Sequence, residues 1–352
     1  MADLDHEPQT DDVVFDVEGG VGVITLNRPK ALNALTLDMC LAMQALLKDW
    51  ATDDAIKAVI IEGAGEKGFC AGGDIRALHD SGKGDGAYAR DFYFHEYRVN
   101  RAIKHFPKPY VALIDGITMG GGVGVSVHGS HRVAGDRSVF AMPETGIGLF
   151  PDVGGSHFLP RLPRNFGFFF GLTGARIKAA DMVYSGVATH YVPSDKQPGI
   201  FEAMKAGASA DEAVMAVAEE PGTAPLGEAA QAIEQIFSAR TMDALVEALK
   251  ADGSDFAHQT LATLETKSPT SLKLTMRQLA QGEAEEDFDA TMKMEYRLAR
   301  RVIEGHDFYE GVRAVIIDKD NAPQWKPARL DQVSDADIEG YFASLGDEEL
   351  TF

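Results

Sequence analysis

The chain has 352 residues, with 45% hydrophobic and 25% charged side chains, and 33 basic against 54 acidic residues give a net charge of −21. These are the values of a globular chain that buries a sizeable core, with room for one large domain or two ordinary ones. They exclude a disordered or fibrous protein, and the acidic balance argues against the nucleic-acid binders, which gather Lys and Arg on one face.

Twelve of the 21 surplus charges sit at the ends: five acids in 1–12 and seven in 331–352, with no Lys or Arg in either stretch. Both read as acidic tails, the first as a disordered one, and the middle keeps room for a modest cationic pocket. The opening MADLDHEPQTDD has neither an apolar signal core nor an Arg-rich transit character. No apolar run approaches the roughly 20 residues that span a bilayer. Two cysteines, Cys40 and Cys70, suit a reduced protein. The expectation is a cytoplasmic chain that engages neither membrane nor nucleic acid.

In chain order, Val13–Val17 and Val21–Leu26 flank Gly19-Gly20 as a β-hairpin. Residues 36–51 carry Met39, Met43, Leu46, Leu47 and Trp50 at helical spacing behind a capping Thr36 or Asp38. KAVIIEG (57–63) and PYVALIDG (109–116) are strands of the fully buried type, with a helix over 87–104 between them. An apolar, helical stretch follows at 122–128, and 138–155 reads as a strand running into a loop. Strand and helix thus alternate to about residue 195, the pattern of an α/β layered fold. From about 198 to 304 the periodicity is almost wholly helical, as in TMDALVEALKAD (241–252). The expected division is an α/β core over 13–195, a helical insertion over 196–256 and a C-terminal helical region over 257–330.

Three glycine clusters follow strands. Gly63-Ala64-Gly65-Glu66-Lys67-Gly68 fits G-x-G-x-x-G, but a dinucleotide loop opens directly into a helix, and none begins here before Asp74. A plain turn fits better. Gly72-Gly73-Asp74 and Gly120-Gly121-Gly122 each precede a helix. Missing side chains there let backbone N–H groups face a ligand, and two converging N–H groups suit an oxyanion; tight turns are the plainer alternative.

Between Arg137 and Asp152 the only charged residue is Glu144, set in VFAMPETGIGLF. Apolar surroundings disfavour an ionised carboxylate and raise its pKa towards a useful acid–base range. Asp152, eight positions on in FPDVGG, is a second carboxylate that can share acid and base roles. Alternatively, Glu144 caps a turn and Asp152 caps a helix starting near Val153. The ten histidines show no metal-ligand spacing, and His128 and His131 read as ordinary surface or core residues. Cys70 reads as a small core residue, and no G-x-S-x-G elbow marks a serine hydrolase.

Taken together, ITLNRPKALNAL (24–35), GFCAGGDI (68–75), DGITMGGGVGVSVHG (115–129) and MPETGIGLFPDVGG (142–155) resemble the enoyl-CoA hydratase/isomerase (crotonase) superfamily. With DFYEGVRAVIIDKDNAPQW (307–325), the chain is most similar to its thioester-hydrolase branch, over about residues 13–328. The resemblance implies an α/β fold, a crotonase-like spiral of ββα units with a helical C-terminal region. It also implies an oxyanion hole from the backbone N–H groups of Gly73 and Gly121, the latter at a helix N-terminus that favours an anion. Glu144 matches the catalytic glutamate, Asp152 the second acid of the hydrolases, and Glu96 in FHEYRVN a substrate-contacting glutamate. Gly124 stands where hydratases carry a further glutamate, which speaks against hydration.

The activity so implied is hydrolysis of a short, branched 3-hydroxyacyl-CoA, 3-hydroxyisobutyryl-CoA first among them, in valine breakdown. Glu144 is then nucleophile or base, with no metal and no cofactor beyond the CoA of the substrate. Arg28, Lys30, Lys67 and Arg76 are candidates for the CoA phosphates, and self-association is left open. The rivals are a single-glutamate enoyl-CoA isomerase or hydratase, a non-catalytic acyl-CoA-binding protein, and a nucleotide-binding oxidoreductase.

Overall fold

The computed structural model describes residues 10–352. Most of the expected disordered tail over 1–12 therefore lies outside the described residues. Asp12, at its end, is held: its carbonyl accepts from Asn27 N at 2.7 Å and its carboxylate pairs with Arg28 at 3.4 Å. The described chain divides into two compact units, one of 10–74, 95–140 and 177–224, the other of 75–94, 141–176 and 225–352.

The first unit carries the strands. β1 (Val13–Glu18) and β2 (Val21–Leu26) form the predicted hairpin in register Val13↔Leu26, turning at Gly19 and Gly20, both with positive φ. β3 (Ala58–Gly63) pairs parallel to β2, and the helix between them, Leu37–Thr52, is capped by Thr36 Oγ1 accepting from Met39 N at 3.3 Å. Next come β4 (Gly68–Cys70), β5 (Tyr110–Ile114), β6 (Ile117–Met119), β7 (His131–Ala134), β8 (Val139–Ala141), β9 (Ile177–Lys178) and β10 (His190–Tyr191).

Two sheets result: a six-stranded one ordered β1-β2-β3-β5-β7-β10 and a four-stranded one ordered β4-β6-β8-β9. Successive strands go to alternate sheets (β3 then β4, β5 then β6, β7 then β8) and helical turns follow each pair. This is the expected repeated ββα unit. β5 is buried along its whole length, as parallel strands covered on both faces are. One face of the large sheet, through Val21, Ile60, Val111 and Val133, packs against Ile200, Met204 and Val214 of helices Pro198–Lys205 and Ala210–Met215.

The second unit is helical. Its core is aromatic and aliphatic, with Phe166, Phe170, Leu279, Met292, Leu298 and Phe308 fully buried. Its main helices are Phe166–Thr173, Leu226–Ile236, Met242–Asp252, Asp255–Glu265, Pro269–Ala284 and Phe288–Val302. Within 331–352 lies a further helix, Asp335–Phe342, whose Ser334 and Asp337 form a capping box. The helix expected over 87–104 is observed at Ala87–Lys104. The one expected over 122–128 is shorter, Gly121–Gly124 continuing as turns, because three of its four residues are glycine, which costs about 1 kcal/mol each in a helix.

Candidate active site

Two constellations carry the sequence-predicted residues, one in each unit. The first is a backbone cradle. Asn33, fully buried in a left-handed conformation, accepts from Arg28 N at 2.9 Å and donates to Ala64 O at 2.9 Å and Gly68 O at 2.8 Å. This side chain ties down the Gly63–Gly68 turn, which leads into β4 and not into a helix. The dinucleotide alternative therefore has no structural support.

Beyond β4, Leu35 N donates to Gly72 O at 2.8 Å and Asp74 N donates to Leu35 O at 2.9 Å. That parallel bridge uses the groups flanking Gly73, so the Gly73 N–H points the other way. Gly72 has φ +112°, a conformation open to glycine at little cost. Gly121 is the first residue of its helical turn and has no carbonyl one turn earlier to receive its N–H. A Cβ placed on Gly121 would lie 3.3 Å from Gly73 N and 2.4 Å from Glu96 Oε1. Gly73 N, the Gly121 backbone and the buried Glu96 carboxyl therefore face one space, which only glycine at 121 keeps open.

The second constellation is acidic. β8 leads through Met142 and Pro143 into a 3₁₀ turn, Glu144–Ile147, braced by Ser268 N donating to Thr145 O at 3.1 Å. Glu144 is 4% exposed, and its Oε2 has no hydrogen-bond partner among the described residues. Burial first, and then the neighbouring Asp152 charge, push its carboxyl well above the usual carboxylate range. Asp152 is 3% exposed. It is not the cap of the next helix: that helix is Gly155–Phe158 with Gly154 in the cap position.

The loop around Asp152 is held by residues that sequence reading passed over. Glu295 accepts from Gly154 N at 2.7 Å and Ser156 N at 2.8 Å, and Gln278 Nε2 donates to Pro151 O at 2.6 Å. Burial pushes the Glu295 carboxyl up to about 8, against the pull of those N–H groups. A signal for Glu295 existed. It falls on the stripe Phe288, Met292, Glu295, Ala299, Val302, whose other members are apolar.

Of the phosphate candidates, Arg28 is committed to Asp12, Asp74 and the Ala34 carbonyl. Arg76 reaches Ile316 O at 3.4 Å, while Lys30 and Lys67 are exposed. His131 is held between Ser130 Oγ and Asp211, each at 2.9 Å, as a structural residue.

The backbone cradle thus belongs to the first unit and the pair of desolvated acids to the second. The sequence family described as Enoyl-CoA hydratase/isomerase matches residues 21–342, and the chain belongs to that family. Among curated proteins it is similar to the mitochondrial 3-hydroxyisobutyryl-CoA hydrolase of Gallus gallus, 48% identical over 98% of this chain and 92% of that protein. The enzyme of the same name from Danio rerio is 50% identical over 96% of this chain and 91% of the other.

Among solved structures, a carnitinyl-CoA dehydratase from Mycobacterium thermoresistibile superposes with a TM-score of 0.92 at 44% identity, over 97% of this chain and 99% of that one. An enoyl-CoA hydratase from Rhodobacter sphaeroides 2.4.1 gives 0.90 at 38% identity, over 97% of this chain and all of the other. The crotonase-type fold is thereby shown. One expectation is corrected. The relatives are named mitochondrial, which overturns the cytoplasmic assignment. That assignment rested on the opening residues and the cysteine count, which do not specify the compartment of the folded body.

Proposed function

We propose that this chain hydrolyses the thioester of 3-hydroxyisobutyryl-CoA to 3-hydroxyisobutyrate and CoA, a step of valine breakdown. Relatives of that name at 48–50% identity over nearly the whole chain support the activity and the substrate class. The observation that carries the chemistry is Glu144: a buried carboxyl with one oxygen unpartnered and its ionised form disfavoured by burial and by Asp152. A raised pKa makes the ionised group a stronger base than a solvated carboxylate.

In this reading the Gly73 and Gly121 N–H groups take the thioester oxygen as it gains negative charge. Glu144 adds to the thioester carbon, CoA leaves as its thiol after taking a proton, and water then splits the mixed anhydride and frees the acid. In the alternative route Glu144 takes the proton of a water that attacks directly. Asp152 contacts the substrate hydroxyl or supplies the proton to the departing thiolate, and Glu96 contacts the acyl portion. The step as written needs no metal or redox cofactor, since CoA is part of the substrate.

A second reading, hydration or isomerisation of an enoyl-CoA, has in its favour the likeness to the carnitinyl-CoA dehydratase and the enoyl-CoA hydratase of known structure. Gly124, which offers no second acid, speaks against hydration. Thiol release from 3-hydroxyisobutyryl-CoA, run beside crotonyl-CoA, decides between them. Rapid loss of the crotonyl absorbance without any thiol would sink the hydrolase.

A further inference from the structure

The segment Pro151-Asp152-Val153-Gly154-Gly155-Ser156 is bent in a way its sequence does not favour. Val153, a β-branched residue, has φ +54°, and Gly154 has φ +83°. For a β-branched side chain the left-handed region is a true outlier, and it persists only where the surroundings over-determine it. Here they do. Glu295 on helix Phe288–Val302 receives the N–H groups of Gly154 and Ser156, one on each carboxyl oxygen, at 2.7 and 2.8 Å. Gln278 on helix Pro269–Ala284 holds the Pro151 carbonyl from the other side of Asp152 at 2.6 Å. One turn further along that helix, a Cβ on Gly282 would lie 1.9 Å from Ser156 O, so the helix backbone itself abuts the loop.

The arrangement is costly. Glu295 is fully buried and disfavoured as an anion, and a buried charged group is retained only where its hydrogen bonds matter. Together Gln278 and Glu295 bracket Asp152: the Pro151 carbonyl lies one residue before it, and the Gly154 and Ser156 N–H groups two and four residues after it.

We infer that Glu295, seconded by Gln278, is a positioning residue for Asp152: it holds the strained Pro151–Ser156 loop so that the Asp152 carboxyl meets the substrate. The inference rests on the role given to Asp152 above and adds residues to it that touch no substrate.

The test is a double-mutant cycle on the full chain. Wild type, Asp152→Asn, Glu295→Gln and the double variant are compared for CoA release from 3-hydroxyisobutyryl-CoA, with kcat and KM taken separately and a thermal melt for each. Displacement of a catalytic group by about 1 Å costs on the order of 10²-fold, and Glu295→Gln is expected to lose about that much. Its loss should divide between kcat and KM as the loss in Asp152→Asn does. In the Asp152→Asn background the same change should cost almost nothing in activity while still lowering the melting temperature. Residues that act as a unit are non-additive in this way.

Full activity of Glu295→Gln beside an impaired Asp152→Asn overturns the inference alone. So do losses that multiply in the double variant, because they describe a merely structural residue. Full activity of Asp152→Asn removes the role of Asp152 and the inference with it. Should Glu295→Gln fail to fold, Gln278→Met removes the donor to Pro151 O at nearly constant volume. It is expected to cost about tenfold, again silent in the Asp152→Asn background, and full activity there overturns the inference equally.

Discussion

The glycine cradle and the acid loop solve opposite problems. In the cradle, the proposed function comes from what is missing: the Gly73 and Gly121 N–H groups would serve the substrate because no side chain stands in front of them, and a Cβ at 121 would meet Glu96 at 2.4 Å. In the acid loop, the proposed function comes from side chains placed where water does not stabilise them, with Glu144, Asp152 and Glu295 all 4% exposed or less. A backbone donor needs no titration and little support, so short hydrogen bonds between neighbouring turns suffice. A buried carboxyl stores electrostatic cost, and two helices must brace the loop that carries Asp152. The two regions therefore respond to substitution in different ways.

The largest effect is expected at Glu144. Glu144→Gln removes nucleophile and base alike, and kcat should fall about 10³-fold, roughly 4 kcal/mol. Stability should move the other way. The folded carboxyl lies above its ordinary value of 4.5, so the unfolded state binds fewer protons once pH exceeds that value, and the wild type loses stability as pH rises through the window between them. The amide does not titrate. The melting temperature of the variant relative to wild type should therefore climb with pH above 4.5. A gap that narrows instead would place the Glu144 carboxyl in a solvated or well-bonded setting.

At the cradle, Gly121→Pro removes one N–H donor, and such a loss costs on the order of 10²–10³ in kcat. The clash of any Cβ with Glu96 is a confounder, and Gly121→Ala isolates it, because alanine keeps the N–H and adds the same Cβ. Proline should be worse than alanine by at least about tenfold. Equal losses would mean that the space at Gly121 matters and its donor does not.

Much of this was legible beforehand, for local reasons. The hairpin, the buried strands at 58–63 and 110–114 and the helix at 87–104 announce themselves by period, and Glu144 stands out as one charge in an apolar run. Of the four-stranded sheet only β8 was legible, as the strand opening 138–155; β4 and β6 are three residues each and β9 two, too short for any period. Glu295 was hidden differently. Its helix also carries Asp289, Lys293, Arg297, Arg300 and Arg301, and only its place among Met292, Ala299 and Val302 separates Glu295 from them. The bonds that give it meaning join positions about 140 residues apart, at 154 and 156. No local pattern records such a pairing.

Asp152→Asn comes next, at about 10²-fold in kcat/KM. The structure removes the capping explanation, since Gly154 holds the cap position. The pH profile sharpens the expectation. Glu144 must be ionised to act, so kcat/KM rises with pH through its raised pKa, and the Asp152 charge is one cause of that rise. Removing the charge lets Glu144 ionise at lower pH. The acidic limb of the remaining activity should shift to lower pH in Asp152→Asn, and an unmoved limb would show that the two acids are not coupled.

The smallest expected effect is at the cysteines, and it tests whether the segment leading into the cradle stays closed. Cys70 ends β4 two residues before Gly72, whose carbonyl lies 3.7 Å from its sulfur, and Cys40 lies on helix Leu37–Thr52; both are fully buried. Burial, with the Glu96 charge opposing ionisation as well, pushes Cys70 up to about 12 and raises Cys40 above its ordinary value. The thiolate is the reacting form, and at pH 8 a thiol of pKa 12 is ionised to about one part in 10⁴. Neither sulfur should react with a colorimetric thiol reagent in the native state over minutes, while both should react once denaturant is added. Released CoA, an ordinary solvated thiol, would then be the whole signal in the hydrolysis assay. Rapid reaction of one native cysteine would mean that the segment leading into Gly72-Gly73 opens locally. A cradle that opens on that timescale could not hold two N–H groups on one oxygen without help from the substrate, and the contrast with the braced acid loop would fall with it.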